Sequence, residues 1–193
     1  MENVSQSTIK GTGVVAGVAY AEAVWVRPRP ELPTAGELID EEKRDGEYDR
    51  FLEAVDVVAS RLEQRAAGAE GQAAEVLGAT AGMVKDRGWH KAVRKSIRSG
   101  RPAEYATASA TEKFVTMFEA AGGVMAERTT DLKDVRDRVI AQLRGEQEPG
   151  LPMVSGEAVL LADDLAPADT ATLDTAHIKA LVTELGGPTS HTA

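Results

Sequence analysis

The stretch Ile178-Lys179-Ala180-Leu181-Val182-Thr183-Glu184-Leu185-Gly186-Gly187-Pro188-Thr189-Ser190-His191-Thr192-Ala193 runs from an apolar segment through a double glycine to a histidine. Ile178 to Val182 has the length and residue types of a buried strand, and that strand delivers the glycine turn and His191 at its end. Gly186 and Gly187 let the backbone approach a ligand closely and leave N–H groups free to face an anion. Thr189 and Ser190 add hydroxyl donors, and His191 follows with an imidazole, a nitrogen nucleophile that titrates near neutrality. A phosphoryl group carried on nitrogen requires that combination: a neutral imidazole to attack, and neutral donors to hold the phosphate oxygens. A Gly-Gly or Ser-His pair by itself is an ordinary polar turn; only the whole octet points to this chemistry.

Upstream of it, Ala158-Val159-Leu160-Leu161-Ala162 is a second short apolar run suited to a buried strand, beginning after Glu148-Pro149-Gly150. Pro167 with Asp169 behind it opens a helix through about Leu173, and Asp163-Asp164 are placed to cap it. At the other end of the chain, Ile9 to Val26 is rich in Val, Ala and Gly, which reads as short strands joined by tight turns. Arg27-Pro28-Arg29-Pro30-Glu31-Leu32-Pro33 can be neither helix nor central strand.

Between these ends the period is helical. Thr34 followed by Glu37 fits a capping box, and beyond it Tyr48, Phe51, Leu52, Val55, Val58, Ala59 and Leu62 recur at three- and four-residue steps. Further helices are predicted over about 70–85, 89–99 and from Ala103 to Gly122, and a last one through Leu132, Val135, Val139, Ile140 and Leu143 closes at Gly145. Residues 34–145 therefore read as a bundle of two long helical hairpins. The simplest topology joins the strands of residues 9–26 to those after 150, with the bundle inserted. The expected fold class is α+β: an α/β subdomain, discontinuous over 1–30 and 148–193, with an all-α hairpin bundle over 31–147.

Composition narrows the function. Of 193 residues 42% are hydrophobic but only 4% aromatic, so the core is built mainly of Ala, Val and Leu, which suits close-packed helices. A net charge of −9 argues against nucleic-acid binding through a general basic field. Cysteine is absent, which excludes disulfides and thiolate metal sites. No apolar run approaches the ~20 residues that span a bilayer, so the expectation is a cytoplasmic protein without a membrane partner. Of the three histidines, His90 beside Trp89 reads as packing and His177 as a surface turn residue. Neither has neighbours at metal-ligand spacing, so no metal site is expected in these residues. Lys85, Arg87, Lys91, Arg94, Lys95, Arg98 and Arg101 form a basic run, most simply a solvated helix face.

The octet resembles the phosphohistidine signature G-G-x-T-S-H-x-A of Enzyme I, the phosphoenolpyruvate–protein phosphotransferase of bacterial sugar uptake; every fixed position is filled. Ala16-Gly17-Val18-Ala19 stands where that family has Pro-Gly-x-Ala, and Glu127-Arg128-Thr129-Thr130-Asp131-Leu132-Lys133-Asp134 resembles its Glu-Arg-Ala-x-Asp-(Val/Leu)-x-Asp segment. The resemblance implies that His191, the tele-phosphohistidine candidate, is the catalytic nucleophile and that Gly186, Gly187, Thr189 and Ser190 support the phosphate. It implies as partner the small phosphocarrier protein HPr, met by a surface that includes Met83, Val84, Arg128 and Asp131. It places phosphoenolpyruvate and Mg²⁺ on a C-terminal barrel outside these residues, no cofactor on the residues themselves, and homodimerisation on that barrel, so this part alone is expected to be monomeric. Asp164-Leu165-Ala166-Pro167 stands where the family has acid–Leu–Thr–Pro, and Ala166 lacks the hydroxyl that would bond the imidazole. Two alternatives to this reading are the histidine domain of a pyruvate phosphate dikinase or phosphoenolpyruvate synthase, and a non-catalytic helical binding module.

Overall fold

The structure is a computed structural model and describes residues 10–26, 29–152 and 154–185. Its elements, in chain order, are β1 (Glu22–Trp25), α1 (Arg44–Gly68), α2 (Gly71–Val84), α3 (Arg87–Arg98), α4 (Ala103–Ala121), α5 (Gly123–Glu127), α6 (Thr129–Arg144), β2 (Ala158–Ala162), α7 (Pro167–Thr170) and β3 (Ile178–Thr183). A single 3-10 turn at Glu41–Lys43 leads into α1.

The apolar stripe of α1 is the spine of the bundle. Phe51, Val55, Val58, Ala59 and Leu62 are buried against Leu77, Ala81 and Val84 of α2, Trp89, Val93 and Ile97 of α3, Ala106 and Ala110 of α4 and Val135 and Val139 of α6. Antiparallel neighbours follow from the short connections: α1 packs chiefly on α2, and α4 on α3 and α6. Alanine at many contact positions lets these helices approach closely, and the few large rings sit together, with Phe51 edge-on to Trp89 at a centroid distance of 5.5 Å. Gly122, at φ 68°, separates α4 from α5, and Gly145, at φ 67°, ends α6 in the left-handed conformation.

Helix α3 starts at Asp86, whose Oδ1 accepts the Trp89 N–H at 2.7 Å. This bond orients Trp89 into the core, where its Nε1–H donates to the Thr111 hydroxyl at 3.1 Å. Asp86→Ala is therefore expected to lower stability by about 1 kcal/mol, read as an earlier urea midpoint with an unchanged slope.

Among the described residues the sheet has three parallel strands in the order β1-β2-β3. Glu22 to Trp25 pair with Ala158 to Leu161, and β2 pairs in turn with β3, Ala158 opposite Ile178 and Ala162 opposite Thr183. Parallel pairing needs a crossover connection. From β1 to β2 that crossover is the whole bundle, and from β2 to β3 it is the turn around α7. The architecture is thus a helical bundle with an α/β part, as expected. On β2, Ala158, Leu160 and Ala162 are buried; Trp25 of β1 and Val182 of β3 are exposed.

Three local expectations are corrected. No helix starts at Thr34: residues 34–40 are irregular, their backbone committed to tertiary bonds. The Ile39 N–H donates to Gly100 O at 2.8 Å, and Ala35 O accepts from Arg101. Within 10–26 only Glu22–Trp25 is strand, and Val14, Val15, Val18 and Tyr20 are exposed rather than folded into strands. Asp164 does not cap α7; Ala166 holds the N-cap position without a side-chain bond, while Asp164 Oδ1 accepts from the Leu165 N–H beside it.

Candidate functional site

The exits of β2 and β3 lie side by side. Beyond the last strand pair, the Glu184 N–H donates to Ala162 O at 3.0 Å and the Leu185 N–H to Asp163 O at 2.8 Å. The chain that continues into Gly186-Gly187 thus leaves from the same edge as the loop Asp163-Asp164-Leu165-Ala166. Leu165 and Ala166 are fully buried, and the Ala166 carbonyl accepts the N–H groups of Asp169 and Thr170 at 2.9 and 3.1 Å. The β2–α7 loop is therefore rigidly seated beside the departure point of the octet. Gly186, Gly187, Thr189, Ser190 and His191 themselves lie outside the described residues.

Behind this loop is a buried ionic cluster. Arg138 of α6 has a fully buried side chain. Its Nε donates to Asp134 at 2.7 Å, its Nη2 to Asp169 of α7 at 2.8 Å, and its Nη1 to Glu148, which also pairs with Arg61 and Arg65 of α1. Burial pulls the pKa of Arg138 down, but Asp134, Asp169 and Glu148 outweigh it and hold the guanidinium above its ordinary value. Asp169 moves the other way: burial, then repulsion from Asp134, exceeds the attraction of Arg138 and pushes its carboxyl up to about 6. One guanidinium shared among three carboxylates does not compensate each of them fully. Nearby Asp137 is also raised, by burial, against the pull of Arg136 at 2.7 Å and Arg29 at 3.9 Å.

Asp169 therefore binds its proton more tightly in the folded chain than an ordinary aspartate, which titrates at 3.8. Its contribution to stability is fully present below that value and is lost as pH rises through about 6. Asp169→Asn is expected to flatten the pH dependence of the unfolding free energy across this window, measured by urea denaturation at a series of pH values.

A cleft of about 330 Å³ adjoins the cluster, its lining including Arg65, Glu148, Leu160, Asp169, Thr172 and Ile178.

Against this geometry, the family model for the N-terminal part of PEP-utilising enzymes matches residues 10–128, and that for their mobile domain matches residues 154–193. The chain belongs to the PEP-utilising enzyme family. It is similar to the phosphoenolpyruvate-protein phosphotransferase of Streptomyces coelicolor, 40% identical over 97% of this chain and 34% of the relative. The Bacillus subtilis protein of the same name is 34% identical over 96% of this chain and 33% of the relative. The chain thus spans about a third of the length of these relatives. A solution NMR structure of Enzyme I (nEIt) superposes with a TM-score of 0.75 at 28% identity, covering 93% of this chain and 74% of the other. The N-terminal domain of Enzyme 1 - Nitrogen shares the fold, with a TM-score of 0.60 at 22% identity over 93% of this chain and 75% of the other.

In this member of the PEP-utilising enzyme family the residues singled out for partner binding are divided. Arg128 and Asp131 bracket the α5–α6 junction, the Arg128 side chain half-exposed and 4.0 Å from the Asp131 carboxylate. Met117 of α4 and Val124 and Met125 of α5 are also exposed. Met83 is half-buried near the end of α2. Val84 is completely buried in the bundle core, so its side chain supports α2 and does not reach a partner. His90 packs edge-on to Phe51 at 5.5 Å and bonds Val84 O through Nε2; His177 bonds Asp174 at 2.7 Å in an exposed turn. Both are accounted for structurally.

Of the basic run, Arg87, Lys91, Arg94, Lys95 and Arg98 are exposed on α3, with Arg94 over the Tyr48 ring at 5.0 Å; Lys85 precedes the helix and pairs with Glu63 at 2.6 Å, and Arg101 follows it, half-buried. The cluster around Arg138 was not foreseen. Its signal in the sequence is an Asp134–Arg138 pair at i,i+4 inside the apolar stripe Leu132, Val135, Val139. Its other two carboxylates, Glu148 and Asp169, are brought in by tertiary structure alone.

Proposed function

We propose that this chain carries phosphoryl groups on His191 between phosphoenolpyruvate and the phosphocarrier HPr. In the first step an imidazole nitrogen of His191 attacks the phosphorus of phosphoenolpyruvate, the N–P bond forms as the enol C–O–P linkage breaks, and enolpyruvate departs to become pyruvate on protonation. In the second, a histidine of HPr attacks the same phosphorus and His191 leaves as neutral imidazole. Backbone N–H groups at Gly186 and Gly187 and the hydroxyls of Thr189 and Ser190 would hold the oxygens of the transferring group.

The observation that carries this reading is the position of the complete octet: it follows β3 by two residues, within the segment matched by the mobile-domain family model. Residues 1–30 and 148–193 would form the phosphohistidine unit and 31–147 would receive HPr. Among the described residues no three His, Asp or Glu side chains converge to hold a metal ion. By the resemblance, Mg²⁺ and phosphoenolpyruvate would bind on a barrel outside these residues, and Mg²⁺ enters no step derived from them. No helix among the described residues is long and apolar enough to cross a membrane.

HPr would dock on a surface that includes Arg128 and the exposed Met117, Val124 and Met125, with Arg128 steering it. Arg128→Ala is expected to weaken HPr binding about tenfold, or ~1.4 kcal/mol, by calorimetric titration. Mixing the chain with phosphorylated HPr tests the function itself. A mass gain of one phosphoryl group is expected; its absence on a folded chain, repeated with a longer form carrying the barrel, would sink the reading.

A further inference from the structure

The proposed chemistry uses none of the charges buried between the bundle and the sheet. They nonetheless form a continuous route from one to the other. Arg138 reaches from the middle of α6 to three separate segments: its own helix at Asp134, the connection to β2 at Glu148, and α7 at Asp169. The planar guanidinium fork fixes all three directions at once, which a lysine ammonium cannot do. From Asp169 the route continues to the Ala166 carbonyl, along the buried β2–α7 loop, and from Asp163 O to the Leu185 N–H. Leu185 is covalently followed by the octet. Ala168 of α7 is itself part of the bundle core, so α7 is a plug from the sheet side held in the bundle.

Gly150 shows how closely this joint is fitted. It has φ +119°, and a Cβ there would lie 2.6 Å from Asp169 Oδ1 and 3.7 Å from Arg138 Nη2. A buried ionic cluster is a costly source of stability, because apolar side chains of similar volume often serve as well. What it supplies here is direction.

We propose that Arg138 is a positioning residue: by clamping α7 it fixes the β2–α7 loop and the β3 exit, from which the His191 loop departs, relative to the helical bundle. Its relevance to phosphoryl transfer rests on the role proposed for His191; the positional coupling does not.

The test uses the 193-residue chain with Arg138→Lys, which keeps the charge but loses the fork, and Gly150→Ala, which keeps every charged residue but forces the Asp169 carboxylate to shift. Amide hydrogen exchange and the imidazole signals of His191 are followed by NMR. In the variants the Glu184 and Leu185 amides are expected to exchange at least about tenfold faster, with Val55 and Val58 of α1 within about twofold of wild type. The chemical shifts and titration midpoint of His191 should move with them. Equal acceleration throughout the chain would reduce Arg138 to an ordinary stabilising residue and overturn the proposal. So would unmoved His191 signals in both variants. Should Arg138→Lys not fold, Gly150→Ala and Asp169→Asn decide between the same outcomes. If wild-type His191 takes up no phosphate, the assigned function fails while the exchange and titration data still read the coupling.

Discussion

His191→Ala is expected to take up no phosphoryl group from phosphorylated HPr under conditions in which the wild-type chain is phosphorylated within minutes. The loss should be on the order of 10⁴-fold or more, because the proposed nucleophile itself is removed. Ser190, Thr189 and Thr192 are hydroxyls, and without an adjacent base they are poor nucleophiles at neutral pH. Intact-mass spectrometry before and after brief acid treatment separates the possibilities. A phosphoramidate on imidazole is lost in acid and survives base, whereas a phosphate ester on Ser190 or Thr189 survives acid. Ser190→Ala serves as the internal comparison: it should keep an acid-labile phosphate and acquire it more slowly, since one of the proposed donors to the phosphate oxygens is gone. Acid-stable phosphate on His191→Ala would move the carrier role to a hydroxyl.

The bundle was legible because its signals are local and redundant. Phe51, Val55, Val58 and Leu62 repeat at helical spacing on α1, and glycines mark the ends at Gly122 and Gly145, so period and punctuation agree. The joining of the two chain ends was legible for a different reason: strand-like runs at 158–162 and 178–182 resume after the helical stretch, as the simplest partners for the strand-like residues before it, and β1 does pair with β2. What failed was wherever a local motif competed with a long-range bond. Thr34 and Glu37 satisfy a capping box, yet the backbone at Ala35 and Ile39 bonds Arg101 and Gly100 across the bundle, and the helix starts after Asp40. Val84 shows the same limit at the candidate partner site. Its place in a family-like segment suggested a contact, while the phase of α2 points it inward. The ionic cluster lay further still from the sequence, because Glu148 and Asp169 stand 10 and 31 residues from Arg138 and no periodicity relates them.

Removal of the guanidinium should therefore cost more than the loss of a surface ion pair. Arg138→Met keeps much of the volume but leaves Asp134, Glu148 and Asp169 facing one another with Arg61 and Arg65 as the remaining cations, both half-exposed and directed at Glu148. Destabilisation of about 3–5 kcal/mol is expected at pH 7, the range for stranding buried charge, read from urea unfolding. The penalty must also depend on pH in a definite sense. Asp169 is already raised to about 6 with Arg138 present, by burial and by the charge of Asp134. Without the guanidinium its attraction is lost and the repulsion remains, so the folded-state value rises further. A carboxyl raised on folding contributes most below its unfolded value and loses that contribution as pH climbs through the folded one. The gap between Arg138→Met and wild type should consequently be widest at pH 7 and above, and narrow steadily as the pH falls toward 4. Arg138→Met/Asp169→Asn should recover part of the loss at pH 7 and show less of the narrowing. A gap of constant size across that range would mean that Arg138 fills space at the joint and that its charge is of no consequence there.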